Sequence, residues 1–582
     1  MTRLSVTSIF LAALSLINQI VADCSKYTPA FPSPDYSQKS PELLEAFNDI
    51  SNTLSNLISK PVYNASSYSI EITSTDSTLW STHHTAQDKN VSRPGAEEVN
   101  GESAYRIASI TKTFTVLGLL YQDVAGNLSL DDTVDTYISD LRGHQRGSIP
   151  WKDITLRTLA SQLSGIPRDF AQGDLFIEIP DATQYGFPPV SDAGLPTCDS
   201  YANYTPCTAK DFTDFLRSAN PLFAPNQKST YSNLAFDLLG LVLANVTGLS
   251  YEDYIRTAIL EPLGMKGSSF IPPPDEFAVL PKGEAWYWDV DEGVQNPTGG
   301  LFATSSDLST YLRYILTHFN GITPKLNWFH PASFTEGVNS FYGVPWEIFR
   351  TEKILSRTGR PVTFITKGGG LPGYITNIIL VPEYSLGITV LTAGDTALMS
   401  KLREIITTKL IRATDKLAQR QAYEKYVGTY AAPHINTTLT VSLSPYQGLY
   451  VSEFISNGTD TFSALLAFFA DRGANDITVQ LFPTLLYRDE KNKRGELFRA
   501  VLDVVPRHSG GPPSVWDDFC VTNVDLLMYA GKPVGEVVFW NTDDGGYRFD
   551  RVEMSAFRVW LDRVGNDKHE ADSSEGLSIQ EL

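Results

Sequence analysis

A change of texture near residue 422 sets the architecture open to this chain. From residue 42 to 422, helical patterns alternate with short β-rich runs, among them 67–73, 362–367 and 374–381. A segment of apolar periodicity, 398–422, reads as a closing helix, and beyond it only strands and turns follow to about residue 561. Leu439, Val441 and Leu443 alternate with polar residues, as do Ile477, Val479 and Leu481, and Pro445-Tyr446-Gln447-Gly448 marks a turn. The pattern predicts an α+β domain over 23–422 and a small antiparallel barrel or sandwich over 423–565. With 42% hydrophobic and 19% charged residues in 582, there is enough apolar material for both cores. The tail 566–582 is polar and acidic and is expected to be disordered.

The first 22 residues carry Arg3, then an apolar stretch, then Val21-Ala22, the pattern of a cleaved secretory signal. Ser15, Asn18 and Gln19 shorten the apolar run below the roughly 20 residues of a spanning helix. A secreted, extracellular protein without a membrane span is therefore expected. In that compartment the Asn-X-Ser/Thr sites at Asn64, Asn90, Asn127, Asn203, Asn245, Asn436 and Asn457 become candidates for glycosylation. Cys198 and Cys207 are the natural local disulfide pair, which leaves Cys24 with Cys520, although four cysteines permit three connectivities. A net charge of −20 repels phosphate backbones and argues against a nucleic-acid partner.

Candidate chemistry begins at Ile107-Ala108-Ser109-Ile110-Thr111-Lys112. Apolar spacing predicts a helix from here to a stop at Gly126, with Ser109 at its start. Residues three apart share a helix face, so the Lys112 ammonium can reach the Ser109 hydroxyl, and the free N–H groups of a helix start favour developing negative charge. Taken alone, the tetrad would be an ordinary capping serine with a solvated lysine. It is the one Ser-X-X-Lys in the chain, and the Gly-X-Ser-X-Gly of α/β-hydrolases is absent.

In context, Arg106 to Phe114 resembles the active-serine segment of the class C β-lactamase and penicillin-binding-protein superfamily. So do 128–134, Ile154-Thr155-Leu156-Arg157, Ser164-Gly165-Ile166-Pro167 and 299–308, over a match of about 42–422. The resemblance implies an antiparallel sheet flanked by helices with an all-helical lobe, and a lipocalin-like appendage at the C-terminus. It matches the family's Tyr-X-Asn to Tyr231-Ser232-Asn233 rather than Tyr201-Ala202-Asn203, which lies among cysteines and prolines. It implies that Tyr231 takes the Ser109 proton and later returns it, with Asn233 on the substrate. A tyrosine, with an ordinary pKa near ~10, can do so only if cations stabilise its phenolate. The family's third motif matches Lys367-Gly368-Gly369, which gives Lys367 as second cation, Gly369 as a close-approach position and the Gly370 N–H as partner of the Ser109 N–H in an oxyanion hole. Gly368 stands where the family's Lys-Thr-Gly form has threonine, which removes a hydroxyl for a β-lactam or peptide carboxylate and weighs against β-lactamase activity.

The reading that follows is a serine hydrolase acting on a small-molecule ester or amide through an acyl-enzyme on Ser109. Its alternatives are an acyltransferase handing the acyl group to an alcohol or amine, and an inactive scaffold or binding protein, which the presence of Ser109, Lys112 and Tyr231 disfavours. No cofactor is expected, and no metal: there is no His-Glu-X-X-His, and His83-His84 reads as surface strand. The Pro-, Gly- and aromatic-rich segment 174–210 is expected to lid the pocket.

Overall fold

The computed structural model describes residues 29–565 except 144–146, 171–174, 176–178, 180, 192–197, 199–204, 470–473, 507–514, 516–523, 526 and 543–546. The expectations for the signal segment, the Cys24–Cys520 pair, Asn203, the acidic tail and part of the 174–210 lid fall outside these residues. The Cys198–Cys207 disulfide is present. The described residues form two compact units, one of 44–351 and 363–410, the other of 352–362, those before 44 and those from 411 to 565.

The first unit is built on an eight-stranded sheet of β1 (Ser67–Thr73), β2 (Thr78–His84), β5 (Ser333–Phe334), β6 (Ser340–Tyr342), β7 (Glu347–Leu355), β8 (Arg360–Leu371), β9 (Tyr374–Val381) and β10 (Leu386–Ala393). Strands β3 (Ala104–Arg106) and β4 (Phe302–Thr304) pair separately. The order in the large sheet is β2-β1-β10-β9-β8-β7-β6-β5. Every residue of β1 and β10 is buried, which requires cover on both faces, even though β1 alternates polar and apolar residues. Helix α4 (Ser305–Ile322) supplies one cover, packing so close that a side chain at Gly387 would meet Leu312 at 3.0 Å.

Further helices extend this unit: α1 (Pro41–Ile58), α2 (Thr111–Val124), α3 (Leu234–Thr247) and the start of α5 (Leu398–Tyr426). Phe47 of α1 stacks on Trp80 of β2 at 5.5 Å, and Lys409 of α5 pairs with Asp49 of α1. α2 and α3 form the centre of a helical lobe with the short helices Leu156–Ala160, Ala209–Leu216 and Tyr251–Ile255. The lobe is tightly built: Phe114 stacks on Tyr311 at 4.0 Å, and a side chain at Gly240 would strike Pro297 at 2.1 Å.

Two local expectations change. Ser109 lies in a 3-10 turn, Ala108–Ile110, that feeds α2 rather than in the α-helix itself. His83 and His84 are half-buried on β2, and burial lowers both imidazole pKa values.

The second unit is an antiparallel barrel. Eight strands, Gly428–Ala432, Thr437–Ser444, Gly448–Ser456, Ala474–Asp489, Arg494–Pro506, Glu536–Trp540, Arg551–Met554 and Val559–Arg563, follow one another in hydrogen-bonded order, and Val559–Arg563 pairs with Gly428–Ala432 to close the ring. Closure removes the sheet edges. Tyr426, Phe498, Phe539 and Phe549 are buried in its core and meet edge-to-face, stacked or tilted at 5.0–5.8 Å between centroids. The strand-and-turn texture did not anticipate the helix α6 (Thr461–Phe469) between the third and fourth of these strands. Its nine residues are apolar almost all round, so periodicity cannot separate it from a buried strand.

Candidate active site

Three segments converge in the first unit: the turn before α2, the loop before α3 and the end of β8. The first carries a backbone device. Ala108 holds φ at +51°, a left-handed conformation that side chains rarely adopt, directly before Ser109. The surroundings hold it there: Thr376 Oγ1 on β9 donates to the Ile107 carbonyl at 2.9 Å, and the Ile107 N–H bonds the Leu301 carbonyl at 3.1 Å. Ser109 is half-buried, and its N–H belongs to the first turn of the helical run, where backbone donors lack intrahelical acceptors.

Lys112, one turn on and fully buried, donates to Ser109 Oγ at 2.9 Å and to the Thr298 carbonyl at 2.8 Å. Its ammonium lies 5.2 Å from the centroid of the Tyr231 ring. Ser109 in turn stands beside Tyr231 and favours its phenolate. Serine, lysine and tyrosine thus form one cluster, joined at the Lys112–Ser109 hydrogen bond.

Tyr231 is delivered by a pinned loop. The Thr230 N–H bonds the Gln162 carbonyl at 2.9 Å, the Ser232 N–H bonds Gln162 Oε1 at 2.6 Å, and Ser232 Oγ donates to the Pro167 carbonyl at 2.7 Å. Asn233 starts α3, its N–H on the Arg168 carbonyl at 2.8 Å and its carbonyl accepting from Thr298 Oγ1 at 2.8 Å. Its side-chain Nδ2 donates to Asp169, which fixes the amide's orientation because a carboxylate only accepts. That leaves Asn233 Oδ1 buried with no hydrogen-bond partner, an acceptor in want of a donor.

On β8 the ladder to β9 continues through the glycines, Gly368 opposite Asn377, Gly369 opposite Thr376 and Gly370 opposite Ile375. Gly369 must be glycine: a Cβ there would sit 2.3 Å from the Ile107 carbonyl oxygen and 2.5 Å from Thr376 Oγ1. The Gly368 N–H donates at 3.0 Å to Glu347 on the β7 side. Residues two apart on a strand present their N–H groups to the same edge, so the exposed Gly370 directs its N–H to that side too, away from β9.

The charges are arranged around the phenol. Burial alone would push the Tyr231 pKa up, but the Lys112 and Lys367 ammonium groups outweigh it and hold it at about 8. Lys112 is driven below its ordinary value by burial and by Lys367, with Tyr231 and Asp237 opposing. Lys367 behaves in the opposite sense. Burial disfavours its charge, yet Glu347 and Tyr231 raise it to about 12, and its Nζ lies 2.7 Å from Glu347 Oε1.

All seven sequence candidates, Ser109, Lys112, Tyr231, Asn233, Lys367, Gly369 and Gly370, lie in this region, with the Asn233 amide turned toward Asp169. Sequence reasoning missed Asp169, Thr298, Glu347 and Thr376. Thr298 directly precedes the family-like 299–308 segment and could have been reached by extending it by one residue. Glu347 stands 20 positions from its partner and carries no motif. Among the described residues no group of three or more His, Cys, Asp or Glu is placed to hold a metal ion.

This constellation, a serine and lysine one turn apart, a tyrosine from a second loop and a glycine-rich strand edge, defines a serine hydrolase of the β-lactamase type. The chain belongs to the β-lactamase family, whose profile matches residues 64–410, and residues 418–565 match the family described as "Beta-lactamase-like-like, C-terminal domain". A probable hydrolase of Phoma sp. is 33% identical, with 94% of this chain and 93% of the relative covered, and a probable hydrolase of Cochliobolus lunatus is 32% identical over 93% and 91%. A class C β-lactamase structure aligns with a TM-score of 0.48 at 20% identity, covering 63% of this chain and 96% of the other.

Proposed function

We propose that the protein cleaves an ester or amide by acyl transfer through Ser109. The observation that carries this is the Ser109–Lys112–Tyr231 cluster, with the Lys112–Ser109 hydrogen bond at 2.9 Å and the tyrosine's pKa held at about 8 by two buried ammonium groups. Tyr231, as phenolate, takes the proton of Ser109 Oγ as that oxygen bonds the acyl carbon. Lys112 keeps its hydrogen bond to Oγ and balances the charge. The carbonyl oxygen becomes an oxyanion between the Ser109 and Gly370 N–H groups. When the carbon–heteroatom bond breaks, the leaving group collects the proton from Tyr231, and the phenolate is ready to deprotonate water for the second half. An alcohol or amine in place of that water would give an acyltransferase from the same site. The substrate is a small molecule. The sequence of 1–22 supports a secreted enzyme.

Intact-mass analysis after treatment with a fluorophosphonate tests the nucleophile before any substrate is known. One adduct per chain, mapping to Ser109 and lost in Ser109→Ala, is the expected result. A folded protein that takes no adduct would remove the hydrolase reading and leave the scaffold one.

A further inference from the structure

Gly368 has no side chain, and the space beside its backbone is occupied by the protein's own carboxylate. Glu347 Oε2 accepts the Gly368 N–H at 3.0 Å while Oε1 lies 2.7 Å from Lys367 Nζ. An ammonium has three protons to give. Lys367 directs one to Glu347 and one to the Gly368 carbonyl at 2.8 Å, and its Nζ lies 5.2 Å from the centroid of the Tyr231 ring. With its side chain 1% exposed, the lysine has no face open to solvent, whereas the Glu347 side chain is 35% exposed. A ligand reaching this corner therefore meets a carboxylate rather than an ammonium. Besides the buried Lys112, the remaining cation beside Tyr231 is Arg168, whose guanidinium carbon lies 4.8 Å from the ring centroid. It sits on the rim, 61% exposed, and is paired with Asp169 at 3.2 Å.

We infer that Glu347 is a specificity-determining residue that fills the anion-binding corner made by Lys367 and the Gly368 N–H, so that the acyl donor is one without a carboxylate beside the scissile bond, an uncharged ester above all. The inference rests on the reading of Ser109 as nucleophile. An anionic donor would have to displace Glu347 from both partners or place its charge against it, and like charges in a partly dry site repel strongly. An uncharged donor leaves the ion pair intact and needs from β8 only the Gly370 N–H.

The test uses the full chain and two alkyl aryl phosphonate esters that differ by one meta-carboxylate on the aryl group. In each, the Ser109 oxygen–phosphorus bond forms as the aryl oxygen–phosphorus bond breaks, and the aryl oxide departs with the serine proton. Intact mass reads the labelling rate without requiring turnover, and a fluorophosphonate control on the same samples reports the nucleophile. The expected result is labelling at least 100-fold faster by the uncharged ester, with the ratio narrowed tenfold or more in Glu347→Gln. Glu347→Ala, which also frees the space, serves should the glutamine variant fail to fold. Rates equal within threefold in the wild type, including no reaction from either ester, or a ratio unmoved in both variants, overturn the inference while fluorophosphonate labelling leaves the nucleophile standing. No labelling by the fluorophosphonate removes the nucleophile and the inference with it.

Discussion

At the scale of single residues, three charges within reach of one phenol set the pH at which the site works. Tyr231 is held at about 8, so its basic form, and with it kcat/KM, rises as pH climbs through that value. Lys367 lowers the phenol's pKa, and removing its charge in Lys367→Met raises it toward the ordinary value near ~10, which moves the ascending limb of the pH–rate profile upward. Glu347 acts on Tyr231 with the opposite sign, so Glu347→Gln moves the limb downward. The two shifts in opposite directions, read on an uncharged ester, distinguish electrostatic tuning from mere loss of packing, which would lower the plateau of both variants without moving their limbs. Glu347 enters this balance without a sequence signal. Its contact with Lys367 is made by the β7–β8 hairpin, and nothing local to residue 347 records the partner. Ser109 and Lys112, by contrast, were legible because one helical turn brings them together.

At the scale of elements, the site depends on how closely β8 approaches the turn before α2. Read from sequence, Gly368-Gly369-Gly370 alone would be a loop, and 362–367 marked a strand that ended before it; the ladder to Asn377, Thr376 and Ile375 carries the strand on to Leu371. Composition cannot show that continuation, because it depends on hydrogen bonds from β9, whose own span 374–381 was evident from its β-branched run. The reason for glycine differs along the run. Gly369→Ala places a methyl 2.3 Å from the Ile107 carbonyl oxygen and 3.0 Å from Ala108 Cβ, so strand and turn must part. A displacement approaching 1 Å at the reacting atoms costs about 100-fold in kcat. The expected outcome is a loss of that order with fluorophosphonate labelling slowed in parallel. Gly370→Ala meets only Ile375 Cδ1 at 3.4 Å, ordinary contact, and its thermal unfolding midpoint is expected to stay close to wild type.

At the scale of the whole molecule, the boundary in space departs from the boundary in sequence. The texture change near residue 422 falls close to the gap between the two family matches, 64–410 and 418–565, yet residues 352–362, the outer end of the β7–β8 hairpin, cluster with the second unit. Arg360 shows why no reading of texture could have found this. Its guanidinium is buried with Asp415, their side chains 3% and 5% exposed and joined at 2.6 Å; its Nε donates to the Pro445 carbonyl at 2.9 Å and its Cζ lies 5.0 Å from the centroid of Phe31. These partners come from three distant stretches of chain. Breaking such a pair from one side leaves a charge out of water, so Asp415→Ala is expected to cost about 3–5 kcal/mol in urea unfolding. Replacing both partners, Arg360→Met with Asp415→Leu, removes the charge as well as its partner and is expected to restore most of that loss. Recovery in the double variant would assign the cost to the stranded guanidinium rather than to lost packing around residue 415. All the residues named in the active site belong to the other unit, so the labelling rate of Ser109 in folded Asp415→Ala should equal that of the wild type.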